Sequence, residues 1–284
     1  MATASPQPTL TVALRRCVSV RELLALAVVP AVLIVVFTLP TETKRELAFS
    51  YMDPTPLTAF TAHYVHLAPT HLWGNVFAFV LLAGTGYVLA VLADRRQLFG
   101  LAVLFYLFVF PPVLSLLNLA VPREAITYGF SGINMAMAGF LPLALTLYAG
   151  RRLLERVDHR QAPTLFFLAM ALIALIAIPL SVVTAAVAVA AGGAAIGYGY
   201  TAYTGVATTE RSRALRLAPG AERSGWVELG AISAFVAMGY PLVGFPAEPA
   251  AGGTVMNLYV HFLGYSLAFL VPYISLETGL LDGL

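Results

Sequence analysis

The chain has 284 residues, of which 60% are hydrophobic and only 11% are charged, and its mean hydropathy is +0.85. This composition lies far outside the range of soluble globular domains and predicts an all-α protein that is embedded in a lipid bilayer. The formal net charge is only +2, and the basic residues form no patch with interleaved aromatic side chains, which argues against nucleic-acid binding.

Eight apolar runs along the chain predict eight transmembrane helices, because a spanning helix needs roughly 20 mostly apolar residues. The predicted spans cover residues 23–39, 71–93, 98–121, 131–149, 164–178, 181–203, 227–245 and 255–276. The first run is long and lacks a small-x-small cleavage site after it, which favours a retained helix over a signal peptide. The fifth and sixth runs are separated only around Pro179 and form either a tight hairpin or one kinked helix.

The distribution of arginine and lysine supports eight spans, since these residues accumulate in short cytoplasmic loops. With a cytoplasmic N-terminus, all but three of the sixteen basic residues fall on the cytoplasmic side. The exceptions are Lys44, Arg45 and Arg123. Merging the fifth and sixth spans would remove most of this bias. Both termini are therefore predicted to be cytoplasmic.

The domain organisation predicted from these spans is simple. Residues 1–22 form a cytoplasmic N-terminal segment, and residues 23–284 form one membrane domain of a multi-pass protein of the cell membrane. The longest connection, residues 40–70, is expected to be functional or partly helical. Gly193 and Gly197 form a G-x3-G pair that predicts close helix packing.

Two polar residues within the predicted spans suggest chemistry, because polar groups at membrane depth are costly. Ser131 opens the fourth span, and His261 lies about six residues into the eighth. Both are predicted in the extracytoplasmic part of the bilayer, where an imidazole can remove the serine proton. Because no Asp or Glu lies well inside any predicted span, we expect a Ser-His dyad without a carboxylate.

A second polar cluster stands at the start of the second span and consists of His66, His71 and Asn75. His71 and Asn75 are four residues apart and share a helix face. Their side-chain donors, together with the backbone N–H of Ser131, are candidates to hold the negative oxygen of a tetrahedral intermediate. His63, in the preceding segment, is interpreted as a loop residue.

Three motifs occur in an order and orientation that together resemble the rhomboid family of intramembrane serine proteases, over most of the chain. They are H-x4-H-x3-N at residues 66–75, G-x-S-G at residues 129–132, and H-x2-G at His261 and Gly264. The resemblance implies a helical bundle with a six-span core, here with two additional spans between the serine span and the histidine span. It implies that Ser131 is the nucleophile and His261 its base. It also implies supporting or oxyanion roles for His66, His71, Asn75, Gly129 and Gly132.

Three positions depart from the family pattern. Met135 stands where bacterial members often have a tyrosine that stacks on the catalytic histidine. Val260 replaces a small residue before that histidine, and Ala268 replaces a second late glycine. These differences bear on the efficiency of the enzyme more than on its identity.

The predicted reaction is hydrolysis of a peptide bond in or near the transmembrane helix of a single-span or otherwise membrane-anchored protein. This chemistry requires no metal and no organic cofactor. Two alternatives remain. The first is an inactive rhomboid-like protein that binds membrane proteins, against which the retention of Ser131 and His261 argues. The second is a transporter or channel, for which discontinuous helices or charged groups at the bilayer midplane are expected, whereas the polar cluster here is predicted near the outer face.

Overall fold

A computed structural model describes residues 8–121, 123–155, 157–177, 181–207, 217–221, 225–251 and 254–281. Within these ranges the chain is almost entirely helical, and its strands are two-residue segments. The protein is an all-α multi-pass membrane protein. Five of the arginines on which the predicted orientation rests lie outside the described residues, and they are Arg156, Arg211, Arg213, Arg216 and Arg223.

Twelve α-helices are present in the described residues. They are α1 Leu10–Cys17, α2 Val20–Phe37, α3 Thr41–Glu46, α4 Pro56–Thr61, α5 Pro69–Leu92, α6 Arg96–Phe108, α7 Phe110–Asn118, α8 Ser131–Tyr148, α9 Ala162–Leu172, α10 Val182–Ala207, α11 Trp226–Gly244 and α12 Leu258–Glu277. By length and composition, seven helical segments of the described chain can cross a membrane, and the bent pair α6 and α7 makes eight if it counts as one span. These eight segments coincide in order with the predicted spans, and most of their ends differ by only a few residues.

The third predicted span is bent instead of straight. Helices α6 and α7 meet at an angle of 47°. Pro111 and Pro112 lie in the first turn of α7 and have no backbone N–H to continue the hydrogen bonding of α6. The apolar run thus indicated the span correctly, whereas the proline pair sets its shape.

The fifth and sixth predicted spans are separate helices. Helix α9 ends in a π-helical turn at Ile173–Ala177, and α10 begins at Val182. Pro179 lies outside the described residues. The predicted packing role of Gly193 and Gly197 is wrong, since a Cβ added at either position meets no atom within 4 Å. Helix α10 packs against α9, where the ring of Tyr198 stacks on Phe167, but Gly193 and Gly197 are exposed and lie away from that contact.

Helix α8 is the centre of the bundle, and nearly all of its side chains are buried. Helices α5 and α12 pack against it. Two glycines allow α12 to approach closely: a Cβ at Gly139 would overlap the carbonyl of Tyr265, and a Cβ at Gly264 would overlap the carbonyl of Gly132. Small residues that let helix backbones approach are a common basis of helix packing in membranes.

The connection at residues 40–70 is partly helical, as expected. It contains α3, α4 and a 3-10 turn at Ala62–Tyr64. Strand β1, Phe49–Ser50, pairs antiparallel with β2, Ile126–Thr127. Because β2 ends just before the entry to α8, this pairing ties the first long loop to the segment that carries Ser131. The second strand pair, β3 Ala250–Ala251 with β4 Thr254–Val255, lies between α11 and α12.

The Gly139 contact generates a stability prediction. We expect Gly139→Ala to lower the free energy of unfolding by about 1–3 kcal/mol, because its methyl group would force α8 and α12 apart. Reversible unfolding in mixed micelles measures this change. Gly193→Ala is the matched control, since its methyl group meets nothing within 4 Å, and it should leave stability unchanged or raise it by up to about 1 kcal/mol through the higher helix propensity of alanine. Equal effects of the two substitutions would contradict the close packing.

Candidate active site

Ser131 and His261 meet at the end of the bundle at which α5, α8 and α12 begin. Ser131 is the first residue of α8, and its Oγ lies 2.8 Å from Nε2 of His261. The predicted depth of His261 needs a correction, because α12 begins at Leu258 instead of 255. The side chain of Asn257 accepts a hydrogen bond from the N–H of Val260 and fixes this start. His261 is therefore the fourth residue of its helix.

The imidazole of His261 is oriented by a backbone carbonyl. Its Nδ1 lies 2.7 Å from the carbonyl oxygen of Gly244, at the end of α11. A carbonyl only accepts, so Nδ1 carries the hydrogen in a neutral ring and Nε2 presents its lone pair to the Ser131 hydroxyl. His261 is buried while Ser131 is half-exposed. Among the described residues, the hydrogen bonds of the His261 ring go to Gly244 and Ser131, and none goes to a carboxylate.

The N-terminus of α8 offers hydrogen-bond donors beside the serine. In the described part of the chain, no acceptor pairs with the backbone N–H groups of Ser131 and Gly132. Free N–H groups are a general property of the first turn of a helix, where they carry partial positive charge. They can therefore receive a negative oxygen that develops next to the Ser131 hydroxyl.

Gly129 is required by its backbone and by its neighbour. Its φ is +115°, and a Cβ at this position would lie 2.5 Å from Cε1 of His71. Any other residue would be strained and would displace the histidine. The His71 ring has no hydrogen bond to any residue that the structure describes, so its ring nitrogens are free to bind a ligand. The motifs at residues 66–75 and 129–132 are thus in direct contact.

His66 is buried beneath this contact and supports the segment before Ser131. Its Nε2 accepts a hydrogen bond of 3.4 Å from the backbone N–H of Phe130, and its ring meets that of His71 edge-on at 4.9 Å. Burial is the main cause that lowers the pKa of His66 to about 3, and the charge of His71 adds to it against a smaller opposing effect of the Tyr64 backbone. His66 is therefore neutral and remains an acceptor at physiological pH.

Asn75 is held by a hydrogen bond to the backbone of its own helix. Its Nδ2 donates to the carbonyl of His71 at 3.0 Å, and because this nitrogen carries a second hydrogen, its donation to a substrate oxygen stays a prediction. Asn134, which sequence analysis missed, donates to Oδ1 of Asn75 at 2.9 Å and to its backbone carbonyl at 3.0 Å. These bonds join α5 to α8 near the dyad. The signal was available, since Asn134 is a polar residue inside a predicted span.

The remaining motif glycines and departures pack around the dyad. A Cβ at Gly132 would lie 2.7 Å from Cγ1 of Val260, so the larger residue at position 260 depends on the glycine opposite it. The buried Ala268 accepts a hydrogen bond of 2.7 Å at its carbonyl from the hydroxyl of Tyr106. Met135 is also buried, and it touches the end of α11.

A second serine-histidine pair shows why proximity alone is insufficient. His63 is buried in the 3-10 turn and is not a simple loop residue as predicted; its Nε2 lies 3.1 Å from Oγ of Ser115. The Ser115 hydroxyl donates to the carbonyl of Ala59 at 2.8 Å. Its hydrogen is therefore directed away from His63, so this pair is structural. No group of three or more His, Cys, Asp or Glu side chains in the described ranges is placed to hold a metal ion.

The depressed pKa of His66 generates a pH prediction. In the unfolded chain the pKa of a histidine is near 6.5, whereas the pKa of His66 in the folded protein is about 3. Between these two pH values the unfolded state binds one more proton than the folded state, which favours unfolding. Stability should thus be fully present above pH 6.5 and decline as the pH falls toward 3. His66→Gln keeps an acceptor for Phe130 but cannot titrate, and its unfolding free energy in micelles should fall less steeply between pH 6.5 and 4. If the unfolding free energies of wild type and His66→Gln fell equally steeply with pH, this account of His66 would be contradicted.

The assembled site brings together all the residues that sequence analysis assigned to it. Ser131 and His261 form a hydrogen-bonded pair, and the two upstream histidines contact the segment that leads into Ser131. Comparisons of the chain with protein-family models, with curated proteins and with solved structures found no match.

Proposed function

We propose that the chain is an intramembrane serine endopeptidase of the rhomboid type, which hydrolyses peptide bonds in or near the transmembrane helices of membrane-anchored proteins. The observation that carries the proposal is the distance of 2.8 Å between Ser131 Oγ and His261 Nε2. Two features make this contact reactive in principle. The base presents its lone pair to the serine, and the serine is the more exposed of the two residues.

The catalytic steps follow from these positions. His261 Nε2 takes the hydroxyl proton of Ser131 while Oγ attacks the carbonyl carbon of the substrate. The negative oxygen accepts hydrogen bonds from the free N–H groups at the start of α8 and from the ring of His71. His261 then gives its proton to the leaving amine, and an acyl ester remains on Ser131. Water attacks this ester with His261 again as base, which releases the acid and restores the serine.

The substrate must present an unpaired carbonyl to Ser131. A regular transmembrane helix keeps its carbonyls in hydrogen bonds with residues four positions further along, so it has to unwind locally before it is cut. The dyad lies in the first turns of α8 and α12, close to one end of the spans. Cleavage is therefore expected near one face of the membrane, at helix-weakening residues.

The arginine distribution supports placing this face outside the cytoplasm. With both termini cytoplasmic, α8 and α12 each begin on the extracytoplasmic side and run inward. On the side predicted to be inner, Arg95 lies between α5 and α6, Arg96 begins α6, and Arg151 and Arg152 follow α8. We infer a multi-pass protein of the cell membrane whose partners are its membrane-anchored substrates and the bilayer itself.

The proposal is tested with purified protein that is reconstituted in vesicles together with a labelled single-span substrate. Ser131→Ala and His261→Ala should each reduce the cleavage rate at least about 1,000-fold, because each removes a member of the reactive pair. Ser275→Ala is the control on α12, since its hydroxyl only bonds the carbonyl of Val271. It should leave the rate unchanged.

Two outcomes would reject the proposed function. One is cleavage that survives in both dyad variants, which would show that another group or a contaminant cuts the substrate. The other is a wild-type protein that binds membrane-anchored substrates but releases them intact over a panel of helix-weakened sequences. That result would favour a role in binding membrane proteins over a proteolytic role.

A further inference from the structure

The base of the proposed protease has a backbone partner where serine proteases with a triad use a carboxylate. Gly244 is the last residue of α11, and carbonyls in the last turn of a helix have no partner within that helix. Its oxygen lies 2.7 Å from Nδ1 of His261. This carbonyl therefore occupies the place of the group that orients the histidine in a catalytic triad.

The C-terminus of a helix is suited to this role electrostatically. The helix dipole places partial negative charge at that end, which stabilises a nearby protonated histidine. His261 becomes positively charged when it takes the Ser131 proton, so the interaction is stronger in the transition state than in the resting enzyme. A neutral carbonyl also avoids the cost of burying a carboxylate within the membrane.

The position of this carbonyl depends on a contact between α11 and α8. A Cβ at Gly244 would overlap Sδ of Met135, which lies one helical turn after Ser131. The next residue, Phe245, is buried, and its ring stands perpendicular to the His261 imidazole at 6.2 Å between centroids. Met135 thus sets how closely the end of α11 approaches the base, and Phe245 covers the base from the same side.

At its other end, α11 is fixed by contacts of the buried Trp226, whose indole N–H donates to the carbonyl of Pro8 at 3.1 Å. The hydroxyl of Tyr148 donates to the carbonyl of Trp226 at 2.7 Å. Between the two ends, the exposed Ile232 and Phe235 show that one side of α11 faces away from the bundle. A peripheral helix held at both ends can place one carbonyl without being central to the fold.

From these contacts we infer that Gly244 is a positioning residue: its carbonyl, held in place by Met135, selects the Nδ1–H tautomer of His261 and stabilises its protonated form during cleavage. The inference rests on the proposed protease function and adds a third member to the Ser131–His261 pair. It also gives Met135 a role at the position where the rhomboid pattern often has a tyrosine.

An amide-to-ester replacement tests the carbonyl without changing any side chain. Phenyllactic acid in place of Phe245 turns the linkage after Gly244 into an ester, whose carbonyl is a weaker acceptor. The Phe245 N–H that is lost has no acceptor among the described residues, so no other bond is broken. We expect kcat to fall about tenfold with KM unchanged. The nitrogen NMR signals of His261 should shift from the Nδ1–H form toward a mixture of tautomers.

The control is the same ester at Phe235, an exposed position in the middle of α11. It is the more severe change to the helix, because it also removes an N–H that bonds the carbonyl four residues back. It should preserve kcat to within about twofold and leave the His261 signals unchanged. If the wild type cleaves and the Phe245 ester variant has the same kcat, the positioning role of Gly244 is overturned. The protease function is not affected by that result. A wild type that never cleaves would instead reject the function, and the NMR signals alone would still test the tautomer.

A pair of substitutions tests the contribution of Met135. Gly244→Ala should lower kcat, because its methyl group collides with Met135 and moves the carbonyl away from His261. Adding Met135→Ala makes room for that methyl group and should recover part of the loss. A defect in Gly244→Ala that persists unchanged in the double variant would contradict the proposed contact.

Discussion

The close packing of α12 on α8 is the constraint on which the site depends. Gly139 and Gly264 have no side chain to separate the two helices, and each lies against a backbone carbonyl of the opposite helix. With the backbones this near, the first residue of α8 and the fourth residue of α12 come within hydrogen-bond distance. The apolar packing of these helices thus determines a polar contact at their ends, because the two elements are rigid.

The polar groups near the dyad are arranged so that most are neutral and hydrogen-bonded. His66 accepts from Phe130, Asn134 donates to Asn75, and Asn75 donates to the backbone of His71. Two atoms of these side chains, Nδ1 of His66 and Oδ1 of Asn134, are buried without a hydrogen-bond partner among the described residues. The network of these bonds joins α5 to α8 and fixes the segment that leads into Ser131. Ser131 and His71 are only partly buried.

Much of this arrangement could be predicted from sequence, because hydropathy and charge report directly on membrane spans. The eight apolar runs and the residues of the candidate site were found in this way, and Ser131 does meet His261. The roles of backbone groups could not be predicted. The carbonyl of Gly244 meets His261 only through tertiary placement, which leaves no residue-type signal in the sequence. The bond from Asn75 to the His71 carbonyl is local, since the two residues are four apart in the same helix, but the sequence does not show that the side chain adopts it.

Other differences have local physical causes. The G-x3-G pattern at Gly193 and Gly197 predicted a close helix contact, but a glycine pair permits such a contact without requiring it. His63 and Ser115 lie 52 positions apart, and only the fold brings them together. The bend between α6 and α7 was readable in principle from Pro111 and Pro112. Both prolines lie inside a continuous apolar run, and the run was therefore predicted as one straight span.

The most direct test of the reactive pair is covalent labelling by a fluorophosphonate, which reacts with a serine only when a base activates it. In native membranes, mass spectrometry of the labelled protein should find one adduct, on Ser131, and His261→Gln should abolish it. No adduct on the folded wild-type protein, an adduct on a different serine, or equally fast labelling of Ser131 in His261→Gln would contradict the account.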